Sequence, residues 1–276
     1  MYVEPADAPK RKPVTVPGLR AMKARREKIA MLTCYDASFA AQMEAAGIDV
    51  ALVGDSLGMV VQGQASTLPV TLDQMVYHVS LVARGLATTL LIADLPFMQF
   101  RDPATALAAA MRLMAEGGAA MVKLEGGSDW TCEVIAALAS RDVPVCAHLG
   151  LTPQSVHKLG GYRMQGKTED AAARLRAEAR AVAHAGAELL VLESVPAALA
   201  GDITRDLPIP TIGIGAGADC DGQVLVSYDM LGITPGRRPK FSKDFLEGRG
   251  SVREAFAAYA EDVRAGRFPG PEQIAA

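Results

Sequence analysis

The sequence predicts a fold of the α/β class, a (β/α)₈ barrel (TIM barrel) formed by one domain. Eight short apolar or β-branched segments alternate with longer, alanine-rich amphipathic segments, which is the pattern of parallel β-α-β units. The strings AGIDVALV, GGAAMVKL and AGAELLVL are imperfect copies of one unit, and this repetition favours a closed barrel over an open, doubly wound sheet. A chain of 276 residues suits one such barrel, because α/β barrels reach roughly 250 residues around a single core.

The predicted strands are residues 29–35, 50–54, 89–94, 120–125, 144–149, 189–193, 210–215 and 224–226. The last has the weakest pattern. Helices are predicted at residues 38–46, 72–84, 104–116, 130–140, 169–185, 196–205 and 251–265, and several of them end at a glycine, as helices commonly do. We therefore predict a catalytic barrel with a C-terminal helix over residues 29–276, preceded at residues 1–28 by a basic arm and the start of the first helix.

Two predicted connections, residues 56–71 and 150–168, are longer than the usual β-to-α loop of roughly 2–6 residues. Both are rich in glycine, proline and glutamine, and both follow a strand, so they would lie at the C-terminal mouth of the barrel. Long loops at that end commonly form substrate walls or lids.

The charge balance favours a small-molecule partner. A net charge of −3 gives no electrostatic reason to bind nucleic acid or an acidic membrane surface. The exception is a run of basic residues near the N-terminus, which we expect to be a solvated arm and first helix because charge runs usually are. Its members are Lys10, Arg11, Lys12, Arg20, Lys23, Arg25, Arg26 and Lys28.

The cysteines and the N-terminal sequence indicate the cytoplasm. Cys34, Cys132, Cys146 and Cys220 are far apart and form no zinc-binding spacing. Cys34 and Cys146 lie in apolar segments and are predicted to be buried thiols, which suits a reducing compartment. The first residues do not resemble a secretory signal, and no apolar stretch approaches the roughly 20 residues of a membrane span.

Ionisable residues occur at the C-terminal ends of five successive predicted strands. Those ends converge on the mouth of a barrel, where catalytic groups of this fold are found. A single acid in such a position could simply cap the following helix, but the series predicts an active site. The residues are Asp55, Asp94, Lys123, Glu125, His148 and Glu193.

Asp55, Asp94 and Glu125 come from neighbouring strands, so their carboxylates can approach one point. Close carboxylates repel each other unless a cation lies among them. Oxygen ligands without a nearby cysteine suit a hard octahedral ion, so we expect Mg²⁺ first and Mn²⁺ second. In the alternative interpretation, Glu125 pairs only with Lys123.

The other ionisable residues suggest roles in binding and proton transfer. Lys123 would offer a positive charge to a substrate carboxylate or an enolate oxygen, although it could also neutralise the acids or form a Schiff base. Glu193 ends the sixth strand, across the mouth from the metal side, which suits a general base. His148 could assist proton transfer, bind substrate or be structural. The string GIGAGADCDG after the seventh strand could bind phosphate or permit close packing.

Eight strings, read in order, resemble the ketopantoate hydroxymethyltransferase family: VGDSLGMVVQG, TLPVT, ADLPFM, VKLEGG, HLGLTPQSV, LGGY, VLESVP and IGIGAG. The match runs from about Lys28 to Gly266. It is specific because long segments match in the same order.

This resemblance implies transfer of a hydroxymethyl group from 5,10-methylenetetrahydrofolate to 3-methyl-2-oxobutanoate through a Mg²⁺-stabilised enolate. The product would be 2-dehydropantoate, in pantothenate and coenzyme A biosynthesis. By position, Asp55, Asp94 and Glu125 match the family's metal ligands, Asp55, Ser56, Asp94 and Lys123 match its oxo-acid contacts, Glu193 matches its proton acceptor and His148 lines its site. The resemblance does not assign phosphate binding to the glycine-rich loop.

The resemblance also implies a homo-oligomer, a decamer, with small-molecule substrates and no nucleic-acid or membrane partner. A metal-dependent C–C lyase or mutase of the isocitrate lyase type is the nearest alternative. A non-catalytic barrel that binds nucleic acid through its basic arm is a second alternative, from a different class of protein.

Overall fold

A computed structural model describes residues 11–236 and 238–274. Eight parallel strands form a closed barrel in sequence order, and the last pairs with the first. The strands are β1 Ile29–Thr33, β2 Val50–Val53, β3 Leu90–Asp94, β4 Met121–Glu125, β5 Val145–Gly150, β6 Leu189–Glu193, β7 Thr211–Ile214 and β8 Gly222–Leu225. The predicted closed barrel is confirmed, and an open sheet is excluded.

The longer helices surround the barrel, and short ones lie in its loops. They are α1 Val16–Arg25, α2 Ala37–Ala45, α3 Leu57–Val60, α4 Leu72–Ala83, α5 Pro103–Met111, α6 Asp129–Ala139, α7 Val156–Leu159, α8 Glu169–His184, α9 Ala197–Asp206, α10 Ser227–Met230 and α11 Val252–Arg264. The seven helices predicted after the first strand agree with the structure to within a few residues, except that α5 continues as a π-helical turn, Arg112–Glu116.

Strand β8 begins at Gly222, two residues before its predicted start. Its first two residues are a glycine and a glutamine, which have little intrinsic preference for strands. Pairing with β1 and β7 makes them a strand. A Cβ atom at Gly222 would lie 2.3 Å from the Ile29 carbonyl oxygen, so the close approach of β1 and β8 requires glycine at this position.

Alternate residues of each strand point into the barrel, as the two-residue period of a strand requires. The inward apolar residues are Ile29, Met31, Val50, Leu52, Leu90, Ile92, Met121, Cys146, Leu189, Val191, Ile212, Ile214 and Val224. A second and larger apolar cluster lies between the outer faces of the strands and the helices. The same alternation, continued toward the C-terminal ends of β3 to β6, brings polar side chains into the mouth.

Helix α1 closes the opposite, N-terminal end of the barrel. Leu19 is fully buried and belongs to the same apolar cluster as the inward residues of the strands. Thr15 caps the helix, because its side chain accepts a hydrogen bond from the Gly18 amide. The first helix is thus part of the barrel core.

Two of the basic residues near the N-terminus, Lys23 and Lys28, differ from the solvated arm that the charge run predicts. Lys23 is paired with Asp221 at 2.7 Å and donates to the Thr204 carbonyl at 2.7 Å. Lys28 donates to the Ala218 carbonyl at 2.9 Å. These acceptors lie in α9 and in the connection from β7 to β8, so these two charges are used in packing. Lys12, Arg20, Arg25 and Arg26 are exposed, as expected, and Lys10 lies outside the described residues.

Cys34, Cys146 and Cys220 are buried free thiols, as predicted for the first two. Among the helices in the described part of the chain, none has the length and apolar character to cross a membrane.

Candidate active site

Five ionisable side chains come from four neighbouring strands and meet at the C-terminal mouth. Asp94 ends β3, Lys123 and Glu125 lie on β4, His148 lies on β5 and Glu193 ends β6. The strand register sets Asp94 beside Lys123 and Glu125 beside His148. The ionisable residues that the sequence singled out on these strands are therefore brought together by pairing of parallel strands.

Asp55 reaches the group from the turn after β2. Its amide donates to Asp94 Oδ2 at 3.0 Å, so the two acids are neighbours. A Cβ atom at Gly54 would lie 2.8 Å from Ser56 Oγ and 3.4 Å from Asp94 Oδ2. The turn can bring Asp55 and Ser56 this close to Asp94 because residue 54 has no side chain.

Lys123 forms a buried ion pair with Asp94, at 2.5 Å between Nζ and Oδ1. Burial lowers the pKa of Lys123, but the charges of Asp94, Glu125 and Asp55 outweigh it and raise the pKa above its ordinary value. In the alternative interpretation, Glu125 pairs only with Lys123. The structure differs from it, because Lys123 forms its ion pair with Asp94. A protonated amine is no nucleophile, so the Schiff-base interpretation loses support.

His148 lies between two carboxylates. Its Nδ1 is 3.4 Å from Glu125 Oε1 and its Nε2 is 3.3 Å from Glu193 Oε2. Burial and the nearby Lys123 lower the pKa of His148, but the two carboxylates raise it to about 9. Neither ring nitrogen has the alignment of a regular hydrogen bond. The two contacts place the His148 ring between Glu125 and Glu193.

Gln154 is a site residue that the sequence reasoning missed. Its amide donates to Glu125 Oε2 at 2.9 Å, and its side-chain Nε2 donates to Asp55 Oδ2 at 2.8 Å and to the Leu95 carbonyl at 3.1 Å. It therefore connects two acids that come from β2 and β4. The string LTPQSV contains it, but a glutamine in a long loop carries no chemical signal of its own.

The buried cluster is short of positive charge, because four carboxylates face one lysine and one histidine. Burial and the charges of Asp94 and Glu125 raise the pKa of Asp55 well above its usual range. A divalent cation would supply the missing charge. Mg²⁺ commonly keeps several waters and uses only one or two carboxylates, so the donor set fits such an ion.

The assignment of Asp55, Asp94 and Glu125 as metal ligands stays a prediction. Across residues 11–236 and 238–274, no three His, Cys, Asp or Glu side chains converge closely enough to hold an ion by themselves. The physical reason is charge pairing: Lys123 contacts Asp94 and His148 contacts Glu125. Gln154 bridges the acids where direct convergence is absent.

A cavity of about 730 Å³ opens above these residues; we call it the mouth cavity. Both long loops line it, as expected for connections of that length at this end of a barrel. The first loop supplies Ser56, Met59, Val60, Gln64 and Thr67, and the second supplies Leu151, Pro153, Tyr162 and Met164. Ser56 Oγ is 2.9 Å from the buried Tyr35 hydroxyl, which fixes its position.

The backbone beyond Glu193 is held in an unusual conformation. Ser194 has a φ of 49°, which is uncommon for a residue other than glycine. Its amide donates to the Ile214 carbonyl at 2.8 Å, and its carbonyl accepts from the Gln165 amide at 2.9 Å. These contacts tie the end of β6 to β7 and to the second long loop, and they position Glu193.

The glycines after β7 serve packing. A Cβ atom at Gly217 would lie 2.5 Å from the Ala197 Cβ, and one at Gly215 would lie 3.0 Å from the Phe241 ring. Helix α9 and the segment after β8 therefore approach this loop closely. Of the two interpretations of GIGAGADCDG, close packing is the one that these contacts support.

Comparison with known proteins gives a consistent result. A profile of the family described as ketopantoate hydroxymethyltransferase matches residues 13–271. The chain is 59% identical over 259 residues to a 3-methyl-2-oxobutanoate hydroxymethyltransferase of Burkholderia thailandensis, covering 94% of this chain and 95% of the relative. Identity to the enzyme of that name in Burkholderia mallei is 60% over the same share of both chains.

Solved structures with a similar fold are more distant in sequence. A phosphoenolpyruvate phosphomutase of Streptomyces platensis has a TM-score of 0.61 at 15% identity, covering 79% of this chain and 83% of that one. A 2,3-dimethylmalate lyase of the PEP mutase/isocitrate lyase superfamily has a TM-score of 0.59 at 20% identity, covering 79% and 82%. At such identities the likeness is one of fold.

Proposed function

Because the chain belongs to the ketopantoate hydroxymethyltransferase family, we propose that this enzyme transfers a hydroxymethyl group from 5,10-methylenetetrahydrofolate to 3-methyl-2-oxobutanoate. The observation that carries the proposal is the cluster of buried ionisable side chains at the end of one cavity, with Glu193 and Lys123 both lining it. The products would be 2-dehydropantoate and tetrahydrofolate, with water supplying the hydroxyl group. We propose cytoplasmic pantothenate and coenzyme A biosynthesis as the setting.

The oxo acid would bind at the β2–β4 side of the mouth cavity. Lys123 is the cation there, and its ammonium group can face the carboxylate or keto oxygen of the substrate while Asp94 holds its position. Ser56, fixed by the Tyr35 hydroxyl, can donate a hydrogen bond to the same substrate. A small anionic acid is thereby oriented at the floor of the cavity.

Glu193 would take the proton from C3 of the oxo acid. Its side chain is 14% exposed, so it is accessible from the cavity and still largely shielded from water. The contact with His148 Nε2, at 3.3 Å, directs the carboxylate. The enolate left by this transfer would attack the methylene carbon of the folate as one of that carbon's two C–N bonds breaks, which forms the new C–C bond. Water would then displace the remaining folate nitrogen from this carbon, giving the hydroxyl group and free tetrahydrofolate.

A divalent metal would be held among Asp55, Asp94 and Glu125, with water molecules completing its coordination and Gln154 connecting two of the acids. Mg²⁺ bound there would supply positive charge to the oxygens of the oxo acid and so favour loss of the C3 proton. The proposal rests on the charge deficit of the cluster and on the oxygen-only donor set.

Proton exchange tests this function. We expect the enzyme to exchange the C3 proton of 3-methyl-2-oxobutanoate in D₂O in the presence of Mg²⁺, followed by NMR. Glu193→Gln should bind the oxo acid and Mg²⁺ but lose exchange by roughly 10²–10⁴-fold, since an amide cannot accept the proton. If the wild-type enzyme shows no exchange in the presence of Mg²⁺, the enolate mechanism is refuted. If Glu193→Gln exchanges the proton as fast as wild type, Glu193 is not the proton acceptor.

A homo-oligomer, by family resemblance a decamer, is also proposed. Four large apolar side chains are exposed in α5, α6 and the loop that precedes α5. They are Phe97, Met98, Met111 and Trp130. Helices α5 and α6 pack together and run in the same direction, so Trp130 at the start of α6 and Met111 at the end of α5 lie at the two ends of this helix pair. Exposed apolar groups of this size are typical of subunit contacts.

A further inference from the structure

Asp229 is a buried carboxylate that the proposed proton transfer does not use. It lies in α10, just after β8, is 7% exposed and lines the mouth cavity. Its Oδ1 accepts a hydrogen bond from Thr234 Oγ1 at 2.6 Å. Among the residues that the structure describes, no donor contacts Oδ2. One side of this carboxylate is therefore available to a molecule in the cavity.

The surroundings of Asp229 favour binding of a neutral ligand group that carries several hydrogen-bond donors. Burial raises the pKa of Asp229, and the Thr234 hydroxyl and the charge of Arg238 oppose that rise only in part. A desolvated carboxylate gains from additional N–H donors. An anionic ligand group would be repelled instead, which directs the carboxylate of the oxo acid away from this wall.

The topology separates Asp229 from the oxo-acid side. Lys123 lies on β4 and Asp229 follows β8, four strands away in a barrel of eight, so they stand on opposite walls of the mouth. Glu193, on β6, lies between them. A ligand at Asp229 could thus extend across the cavity and bring its reactive carbon to the side of the oxo acid that Glu193 deprotonates.

The mouth cavity has room for a second molecule. Its volume of about 730 Å³ is in the range that holds drug-sized ligands, roughly 300–1,000 Å³, which exceeds the needs of a five-carbon acid. Met59, Tyr162 and Phe241 also line it. Aromatic and thioether groups suit the faces of a flat heterocycle.

We propose that Asp229 binds the pterin ring of the folate co-substrate, by accepting hydrogen bonds from the ring's 2-amino group and adjacent N3–H. These two donors lie side by side and match the two oxygens of a carboxylate. Oδ1 can accept from the ring and from Thr234 together, since each oxygen has two lone pairs. The inference rests on the proposed function, in which the folate is the one-carbon donor.

The test compares Asp229→Asn with wild-type enzyme in three measurements. We expect the KM for 5,10-methylenetetrahydrofolate and the Kd for tetrahydrofolate to rise roughly 10- to 100-fold, because a charged two-point contact is lost. Mg²⁺-dependent C3 exchange of the oxo acid should change by less than about 3-fold. Glu272→Gln removes the same charge from an exposed position outside the cavity and serves as the matched control.

A ligand analogue gives a second test that needs no variant. Tetrahydrofolate with its 2-amino group replaced by methyl should bind wild-type enzyme roughly 10-fold more weakly or worse, and it should lose little further in Asp229→Asn. Equal tetrahydrofolate affinity in wild type and variant, or equal loss of folate binding and exchange, would overturn the assignment. Absent exchange in wild type would count against the proposed function alone, because Asp229-dependent folate binding is measured separately.

Discussion

Each acid at the barrel mouth differs in the groups that contact it. Asp94 contacts Lys123 and the Asp55 amide, Glu125 contacts His148 and the Gln154 amide, and Asp55 has the weakest set of positive partners. Acidic residues of the same type therefore have different surroundings and can take different roles. The assignment of a proton acceptor and metal ligands among them depends on these neighbours, since the side chains themselves are chemically equivalent.

Gln154 provides the sharpest residue-scale prediction. Gln154→Ala removes the side-chain bond to Asp55 and leaves the backbone bond to Glu125. We expect Mg²⁺ affinity, measured by calorimetry, to fall roughly 10- to 100-fold, as is typical when a group that positions metal ligands is lost.

Gln165→Ala is the matched control, because the Gln165 side chain donates only to the exposed Arg163 carbonyl. The variant enzyme should remain folded by circular dichroism. Unchanged Mg²⁺ affinity in Gln154→Ala would show that Asp55 and Glu125 do not depend on this link.

At the scale of elements, the connections on the two ends of the barrel have different tasks. The loops after β2 and β5 form walls of the mouth cavity, whereas α1 and the loops at the other end close the barrel. Glu44, near the end of α2, shows how such closure is achieved. Its carboxylate accepts from the amides of residues 87, 88 and 89 at 3.0–3.2 Å, which anchors the start of β3.

The lowered pKa of Glu44 leads us to expect that the free energy of unfolding depends on pH in the acid range. Burial raises its pKa, but the bonds from Thr88 and Thr89 outweigh this and lower it to about 2. A lowered pKa means that the stabilisation is complete above the unfolded-state pKa near 4.3 and is lost as the pH falls through about 2. Glu44→Gln should therefore be less stable at pH 7, by about 1 kcal/mol, discounted because the carboxylate is partly exposed.

Denaturant unfolding at pH 7 and again between pH 4.5 and 2 checks this expectation. The difference between Glu44→Gln and wild type should shrink as the pH falls across that interval. Glu133→Gln, on the exposed face of α6, should show no such trend. A constant difference at all pH values would mean that the Glu44 charge contributes nothing.

At the scale of the whole molecule, apolar surface remains exposed outside the barrel. Met111 is 56% exposed and Trp130 is 47% exposed, and Phe100 stacks on Trp130 at 5.9 Å between ring centroids. Ordered aromatic surface of this kind is typical of a contact with another subunit.

We expect light scattering to give a mass several times the 29.0 kDa of one chain, about tenfold for a decamer. Met111→Glu should lower the mass or make it concentration dependent, because a charge would be buried in the contact. Glu272→Gln, at an exposed position in the C-terminal segment, is the control. A monomeric wild-type protein at micromolar concentration would refute the proposed oligomer.

Much of the barrel could be predicted from sequence because its signals are local. Strand and helix periodicity, glycine at helix ends and acids at strand ends are all properties of short segments. They predicted seven strands closely, the main helices and the site residues Asp55, Asp94, Lys123, Glu125, His148 and Glu193. The alternation of side chains along a strand then requires the inward acids to meet once the sheet closes.

Features that depend on contacts between residues far apart in the sequence were decided only by the tertiary structure. Gly222 is a strand residue only because it pairs with β1 and β7. Sequence reasoning missed Asp229, which follows β8 and lines the mouth cavity. Lys23 and Lys28 donate to acceptors that lie some 190 positions or more further along the chain. Gln154 contacts Glu125 on β4 and Asp55 after β2. The sequence by itself determined the barrel and the acids at its mouth. Which partner each side chain contacts was decided only when the sheet closed into a barrel, because charge interactions and hydrogen bonds act between residues that are close in space and not in sequence.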